Sequence, residues 1–252
     1  MKILFIGDVY GQRGLDALNK FLPSIKQDTH YHFLIINGEN VTEGLGINAR
    51  DYKTLMSHGA HVITLGNHSF SKRELFDFID DSNIIRPLNY PPNTPGKGVL
   101  ISNFNGVNIA VINIMGQIFM NDPLGDPFQA MDDVLKTIDA DIVIVDMHAE
   151  ATSEKLALAH YLDGRVTAVI GTHTHVPTND AMQLPKGTYY ITDVGMTGVK
   201  YGILGADKDL VLSKFLTKMP VRLKPSQAKE LQLNAVLIDI TNQTIQTINK
   251  SD

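Results

Sequence analysis

The chain has 252 residues and a formal net charge of −5, and 43% of its residues are hydrophobic. It contains no cysteine, which excludes disulfides, thiolate metal ligands and a cysteine nucleophile, so any metal must sit on His, Asp, Glu, Asn or backbone oxygen. The acidic balance argues against a duplex nucleic-acid binder, and no apolar run approaches the ~20 residues of a membrane helix.

The opening Met-Lys-Ile-Leu-Phe-Ile-Gly-Asp is too short and too soon interrupted for a signal peptide. A soluble cytoplasmic protein with one domain over residues 1–252 is therefore expected.

Along the chain, short β-branched runs alternate with amphipathic stretches. A strand at Ile3–Ile6 precedes a helix over Leu15–Ile25, and Phe33–Ile36 precedes a helix over Tyr52–His58. A third strand, Val62–Leu65, leads to helical spacing at Leu75–Ile79. Pro87–Gly98 and Gly116–Pro127 read as surface loops on either side of a hairpin over Val99–Val111, whose second arm carries the run Ile109–Ile112. Helical spacing at Val134–Ile138 precedes a strand at Ile142–Val145, and Leu156–Leu162 precedes one at Val166–Ile170. Near the C-terminus, Asp209–Phe215, Leu231–Ile240 and Thr244–Ile248 read as antiparallel strands, with a turn at Asn242. This order predicts an α/β fold: two packed mixed β-sheets flanked by helices.

The polar residues gather where the strands end. Asp8 follows the first run, and Glu39 and Asn40 follow the second. Asn67 and His68 follow the third, His148 follows Ile142–Val145, and His173 and His175 follow Val166–Ile170. Ligands bind beyond the carboxyl ends of strands in open α/β sheets, so these groups should converge on one sheet edge. His173 and His175 are alternate residues and can face the same way. The other histidines (His30, His32, His58, His61 and His160) do not follow an apolar strand and read as solvent-facing or locally hydrogen-bonded. The Gly-rich segment Gly7–Gly14 lacks the G-x-G-x-x-G spacing of a dinucleotide site.

The succession Gly-Asp, Gly-Glu-Asn, Gly-Asn-His, a lone His and Gly-Thr-His-Thr-His resembles the calcineurin-like metallophosphoesterase superfamily. Glu39-Asn40 in place of the commoner Asp, with Asp8-Val9-Tyr10 in place of Asp-x-His, is similar to its YmdB-like bacterial branch. That branch comprises phosphodiesterases associated with 2′,3′-cyclic nucleotides. Further matching segments are 86–91, 148–155, 161–166 and 192–198.

The resemblance implies a four-layer αββα sandwich and a binuclear site. One metal would take Asp8, Glu39, Asn40 and His175. The other would take Glu39, Asn67, His148 and His173, with Glu39 bridging. A water shared by two such metals loses a proton near neutral pH and serves as nucleophile. His68 would protonate the departing alkoxide, a role open to an imidazole at neutral pH. The ligand set suits iron or manganese, with zinc compatible. The expected partner is a small cyclic nucleotide or phosphodiester, and self-association into a homo-oligomer is expected. A phosphomonoesterase, an RNA-end phosphatase or a slow metal- and nucleotide-binding regulator would use the same residues. Ser69-Phe70-Ser71 and Val199-Lys200-Tyr201-Gly202 depart from the branch, and Lys200 reads as a loop lysine.

Overall fold

The first apolar run forms β1 (Lys2–Ile6), and its alternate side chains serve two different cores. Ile3 and Phe5 face one way while Leu4 and Ile6 face the other, so a strand buried on both faces shows no polar alternation. The molecule is described from a computed structural model over residues 1–121 and 124–252. Residues 122 and 123, within the loop expected over Gly116–Pro127, lie outside the described residues.

After β1 come α1 (Gly11–Thr29), β2 (Phe33–Asn37), α2 (Ala49–Ser57), β3 (Val62–Thr64) and the short β4 (Ile84–Ile85). The hairpin β5 (Val99–Phe104) and β6 (Val107–Met115) leads to α3 (Pro127–Leu135), β7 (Ile142–His148), α4 (Thr152–Leu162) and β8 (Ala168–Thr172). The remainder is β9 (Met182–Gln183), β10 (Tyr189–Ile191), β11 (Gly198–Val199), α5 (Lys208–Thr217), β12 (Leu231–Asp239) and β13 (Thr244–Ser251).

These strands make a seven-stranded sheet in the order β11-β12-β1-β2-β3-β4, with β13 also on β12, and a six-stranded sheet in the order β5-β6-β7-β8-β10-β9. In the first sheet β1 to β4 run parallel, while β12 runs antiparallel to β1. In the second, β6, β7, β8 and β10 run parallel. Ile3, Phe5, Phe33 and Ile35 of the first sheet pack against Ile109, Val111, Ile144 and Ile170 of the second. Leu4, Ile6, Leu34 and Ile36 face Leu15, Leu18 and Ile25 of α1. Ile112, Val145 and Val169 face Met131 of α3 and Leu158 and Leu162 of α4. The result is the expected layering of helices, sheet, sheet and helices.

Several boundaries differ from the sequence expectation. Asp209–Phe215, expected as a strand, lies inside α5. Asp207 caps that helix by accepting from the backbone N–H of Asp209 and Leu210, and Lys218 ends it with a left-handed φ of 59°. Its apolar residues fit either period, and the cap decides. The helix expected at Val134–Ile138 starts earlier, because Asp126 caps α3 and Pro127 opens it. Leu75–Ile79 gives only a 3-10 turn over Arg73–Asp77. The loop Pro87–Gly98 is anchored rather than free, since Arg86 donates to the carbonyls of Pro87, Thr94, Pro95 and Gly96.

Ile144 is fully buried between the sheets. Ile144→Ala should lower the unfolding free energy by ~2–5 kcal/mol, read as a lower urea midpoint at unchanged slope.

Candidate metal centre

Asp8 follows β1, Glu39 and Asn40 follow β2, and Asn67 and His68 follow β3, all in the first sheet. His148 is the last residue of β7, and His173 and His175 follow β8, in the second sheet. The expected convergence on one edge is therefore a seam where the carboxyl ends of two sheets meet. His173 and His175 leave β8 with left-handed φ values of 99° and 66°, which turns the chain sharply enough for both rings to face the seam.

Two overlapping clusters form there. In one, His148 Nε2 lies 2.9 Å from Asn67 Oδ1, 3.0 Å from His173 Nδ1 and 3.3 Å from Glu39 Oε1. In the other, His175 Nε2 lies 3.1 Å from Asn40 Nδ2 and 3.7 Å from Asp8 Oδ1. Glu39 joins them, because its Oε1 also accepts from Asn40 Nδ2 at 2.9 Å. All eight sequence-selected residues are thus brought together; His68 donates its backbone N–H to Glu39 Oε2 at 3.1 Å and sits half-buried beside Asn67. Among the described residues, Glu39, His148 and His173 place ligand atoms within 4.8 Å of one another, a spacing that can hold a metal ion.

The outer nitrogen of each imidazole decides which way its lone pair points. Thr172 donates its hydroxyl proton to Asp146 Oδ1 at 2.6 Å, so it can only accept from His148 Nδ1 at 2.9 Å. His173 Nε2 faces Glu150 Oε2 at 3.2 Å, and His175 Nδ1 faces the carbonyl of Leu204 at 3.0 Å. With its outer nitrogen so partnered, each ring turns its inner nitrogen (Nε2 of His148 and His175, Nδ1 of His173) into the seam, the orientation metal-ligating histidines use.

The electrostatics call for positive charge. Burial makes ionisation of Asp8 costly and raises its pKa, although His175 and His148 oppose the shift. Its Oδ1 is buried without a hydrogen-bond partner. Burial also resists ionisation of Glu39, but His148 and His68 outweigh it and hold the carboxyl down to about 2. Burial favours a neutral His148, yet Glu39, Asp8 and Asp146 push it up to about 9. Burial and then the His148 charge drive His173 down to about 3. A proton on His148 thus supplies positive charge where a cation held by these nitrogen and oxygen atoms would supply it. Gly66 keeps that space open: a Cβ there would lie 2.3 Å from both Glu39 Oε2 and His148 Nε2.

Sequence reasoning gave no role to the groups beneath the centre. Lys155 is fully buried and donates to the carbonyl of Thr172 at 2.7 Å and to Asp193 Oδ2 at 2.8 Å. Asp193 also accepts from the backbone N–H of Thr174 at 2.9 Å and Gly195 at 2.8 Å. This ion pair pins the turn that carries His173 and His175. Both residues lie in segments that carry the family resemblance, but burial, the property that sets them apart, is not written in local sequence. Lys200 reaches Ser251 and the Asp252 carbonyl, away from the centre. Of the histidines read as structural, His32 accepts from Lys2 N–H and His61 from Leu34 N–H, and neither enters the cluster.

Residues 4–251 match the YmdB-like protein family. The chain belongs to that family. A 2′,3′-cyclic-nucleotide 2′-phosphodiesterase of Bacillus subtilis strain 168 is 49% identical over 247 residues, covering 97% of this chain and 93% of the relative. A crystal structure of a hypothetical protein from Thermus thermophilus superposes with a TM-score of 0.95 at 44% identity, covering all of both chains. That of a Mycoplasma pneumoniae phosphatase gives 0.91 at 34% identity, covering all of this chain and 93% of the other. The family relationship accounts for the whole described fold, including the β10–β11 segment that sequence periodicity missed.

Removing one partner of the buried Lys155–Asp193 pair should be severe. Lys155→Met is expected to cost ~3–5 kcal/mol in urea unfolding, because Asp193 is left buried and uncompensated. Adding Asp193→Asn should restore part of that loss; a single-variant cost below about 1 kcal/mol would show that the pair does not hold the turn.

Proposed function

We propose that this protein is a binuclear metal-dependent phosphodiesterase that opens 2′,3′-cyclic nucleotides. The observation that carries the reading is the set of three inward-facing imidazole nitrogens and two buried carboxylates aimed into one seam. The relationship to the Bacillus enzyme supports the substrate.

The donor set fits two cations. Asp8, Glu39, Asn40 and His175 would hold one, and Glu39, Asn67, His148 and His173 the other. Asn40 now turns its Nδ2 toward Glu39 and His175, so ligation through oxygen requires its amide to turn over. Asn67 already presents Oδ1. Iron or manganese suits this oxygen and nitrogen set, and zinc is compatible. Bound there, such ions would polarise a phosphoryl oxygen and make a nucleophile of water near neutral pH.

The chain's own residues do the rest. Two carboxylates among neutral amides and imidazoles would leave excess positive charge on a centre holding two divalent ions, which would favour a phosphodiester anion. Thr172, Glu150 and the Leu204 carbonyl keep the imidazoles in the ligating tautomer. His68 is fixed through its backbone N–H on Glu39, which leaves its ring beside the centre to deliver a proton to the leaving ribose oxygen. The P–O2′ bond breaks, and the product carries a 3′-phosphate.

Chelation should abolish hydrolysis of both 2′,3′-cAMP and bis-p-nitrophenyl phosphate, and manganese or iron should restore it. Asp8→Ala should reduce the bound metal per chain as well as turnover. His68→Ala should lower kcat on 2′,3′-cAMP by about 10²–10⁴-fold. It should do far less to bis-p-nitrophenyl phosphate, whose leaving group is stable as an anion. Equal losses on the two substrates would reduce His68 to a phosphate-binding cation, and full activity after chelation would sink the metal assignment.

A further inference from the structure

Beneath the centre, the apolar interface between the sheets gives way to a polar layer. Alternate residues of a strand share a face, so the rows Phe33 and Ile35, Ile142 and Ile144, and Ala168 and Ile170 continue between the sheets into Asn37, Asp146 and Thr172. All three polar residues are fully buried. They make one unbroken chain of contacts between two residues of the centre. His148 Nδ1 lies 2.9 Å from Thr172 Oγ1, Thr172 donates to Asp146 Oδ1 at 2.6 Å, and Asn37 Nδ2 donates to Asp146 Oδ2 at 3.1 Å. Asn37 Oδ1 in turn accepts the backbone N–H of Glu39 at 3.1 Å. The Asn37–Asp146 bond crosses from β2 in the first sheet to β7 in the second. Asn113, which continues the row Ile109 and Val111 of β6, lies in the same layer but outside this chain. Its Oδ1 has no hydrogen bond, and its Nδ2 reaches the Asp146 backbone carbonyl at 3.4 Å.

We propose that Asp146 is a positioning residue that joins His148 and Glu39 into one unit and thereby sets the affinity of the centre for metal, an assignment that rests on the metal-dependent reading above. His148 and Glu39 belong to the set that would hold one cation, with Nε2 and Oε1 3.3 Å apart. Yet β7 and the β2 strand that leads to Glu39 lie in different sheets, so no strand ladder fixes one ligand against the other. The hydrogen bond between Asn37 and Asp146 does so across the interface. A carboxylate suits the hub because both of its neighbours donate, and each of its oxygens accepts one of them. An amide at position 146 would offer one acceptor and one donor. Either the Thr172 hydroxyl would turn away from it, or Asn37 would turn its amide over and present N–H to the N–H of Glu39. In both cases one ligand of the pair loses its support.

Calorimetry of manganese binding to the metal-free protein, without substrate, reads this role directly. Asp146→Asn should weaken the Kd about 10–100-fold, the usual cost of losing a group that orients a metal ligand. Thr172→Val, which cuts the His148 arm, should weaken it as well, whereas Thr172→Ser keeps the hydroxyl and should bind as wild type does. Added to Asp146→Asn, Thr172→Val should cost less than it does alone, because both act through one chain. Asn113→Leu removes a polar group of the same layer and should leave the Kd unchanged. Urea unfolding of the metal-free variants separates positioning from support of the fold. A midpoint that falls in Asp146→Asn while its Kd stays at the wild-type value would overturn the proposal, as would an equal loss of affinity in Asn113→Leu. Should Asp146→Asn fail to fold, the Thr172 pair carries the same test, and equal Kd values for its Val and Ser variants would overturn it. Binding is measured apart from turnover, so the two readings fail separately. A protein that binds manganese in this pattern but hydrolyses no phosphodiester refutes the phosphodiesterase reading alone, whereas an active enzyme with one Kd across all variants refutes only the role of Asp146.

Discussion

Three imidazole rings are held from behind, and the rest of the site depends on that. His148 is fixed by Thr172, His173 by Glu150 and His175 by the Leu204 carbonyl. Each contact occupies the outer nitrogen and turns the inner one toward the seam. The inward-facing atoms include a buried carboxylate oxygen, Asp8 Oδ1, without a hydrogen bond, and the carboxylates around His148 favour its protonated form. A folded protein tolerates such crowding only where the surrounding structure over-determines it.

That surrounding structure is deep and polar. Asp146 receives Thr172 on one oxygen and the Asn37 amide on the other, and its burial lifts its pKa to about 6. Lys155 and Asp193, both fully buried, clamp the turn after β8 from below. Close backbone approach completes the frame: a Cβ on Gly171 would lie 1.7 Å from the Thr192 carbonyl oxygen, and one on Gly7 1.8 Å from that of Gly195. The segment after β10 is thereby pressed against the ends of β1 and β8, and the two sheets are locked together at the end where the ligand atoms meet.

The double-sheet architecture explains how five strands can deliver eight polar groups to one place. Parallel strands β1, β2 and β3 end together in one sheet, and β7 and β8 end together in the other. The shared core of Ile3, Phe5, Phe33 and Ile35 against Ile109, Val111 and Ile144 fixes the spacing between the sheets. Because that interface is close-packed, the seam is held to a fixed width by apolar packing rather than by the polar atoms themselves.

The amino-acid sequence by itself determined which residues enter the centre, because each one follows a short apolar run that can only be a buried strand. Asp8, Glu39, Asn67, His148 and His173 were legible for that reason, as were the paired sheets. Strand ends are local features, written within a few residues. Only the tertiary structure decided the rest. That the donors come from two sheets, that Thr172 and Asp146 set the His148 tautomer, and that Lys155 reaches Asp193 all depend on residues far apart in the chain, 17 to 38 positions in the bonds beneath the centre. The strand expected at Asp209–Phe215 failed for a related reason. Its apolar residues remain largely uncovered in the folded chain, so no buried face imposed a period on them, and the Asp207 cap settled the helix. Local sequence records what each segment must bury; it does not record what will be standing on the other side.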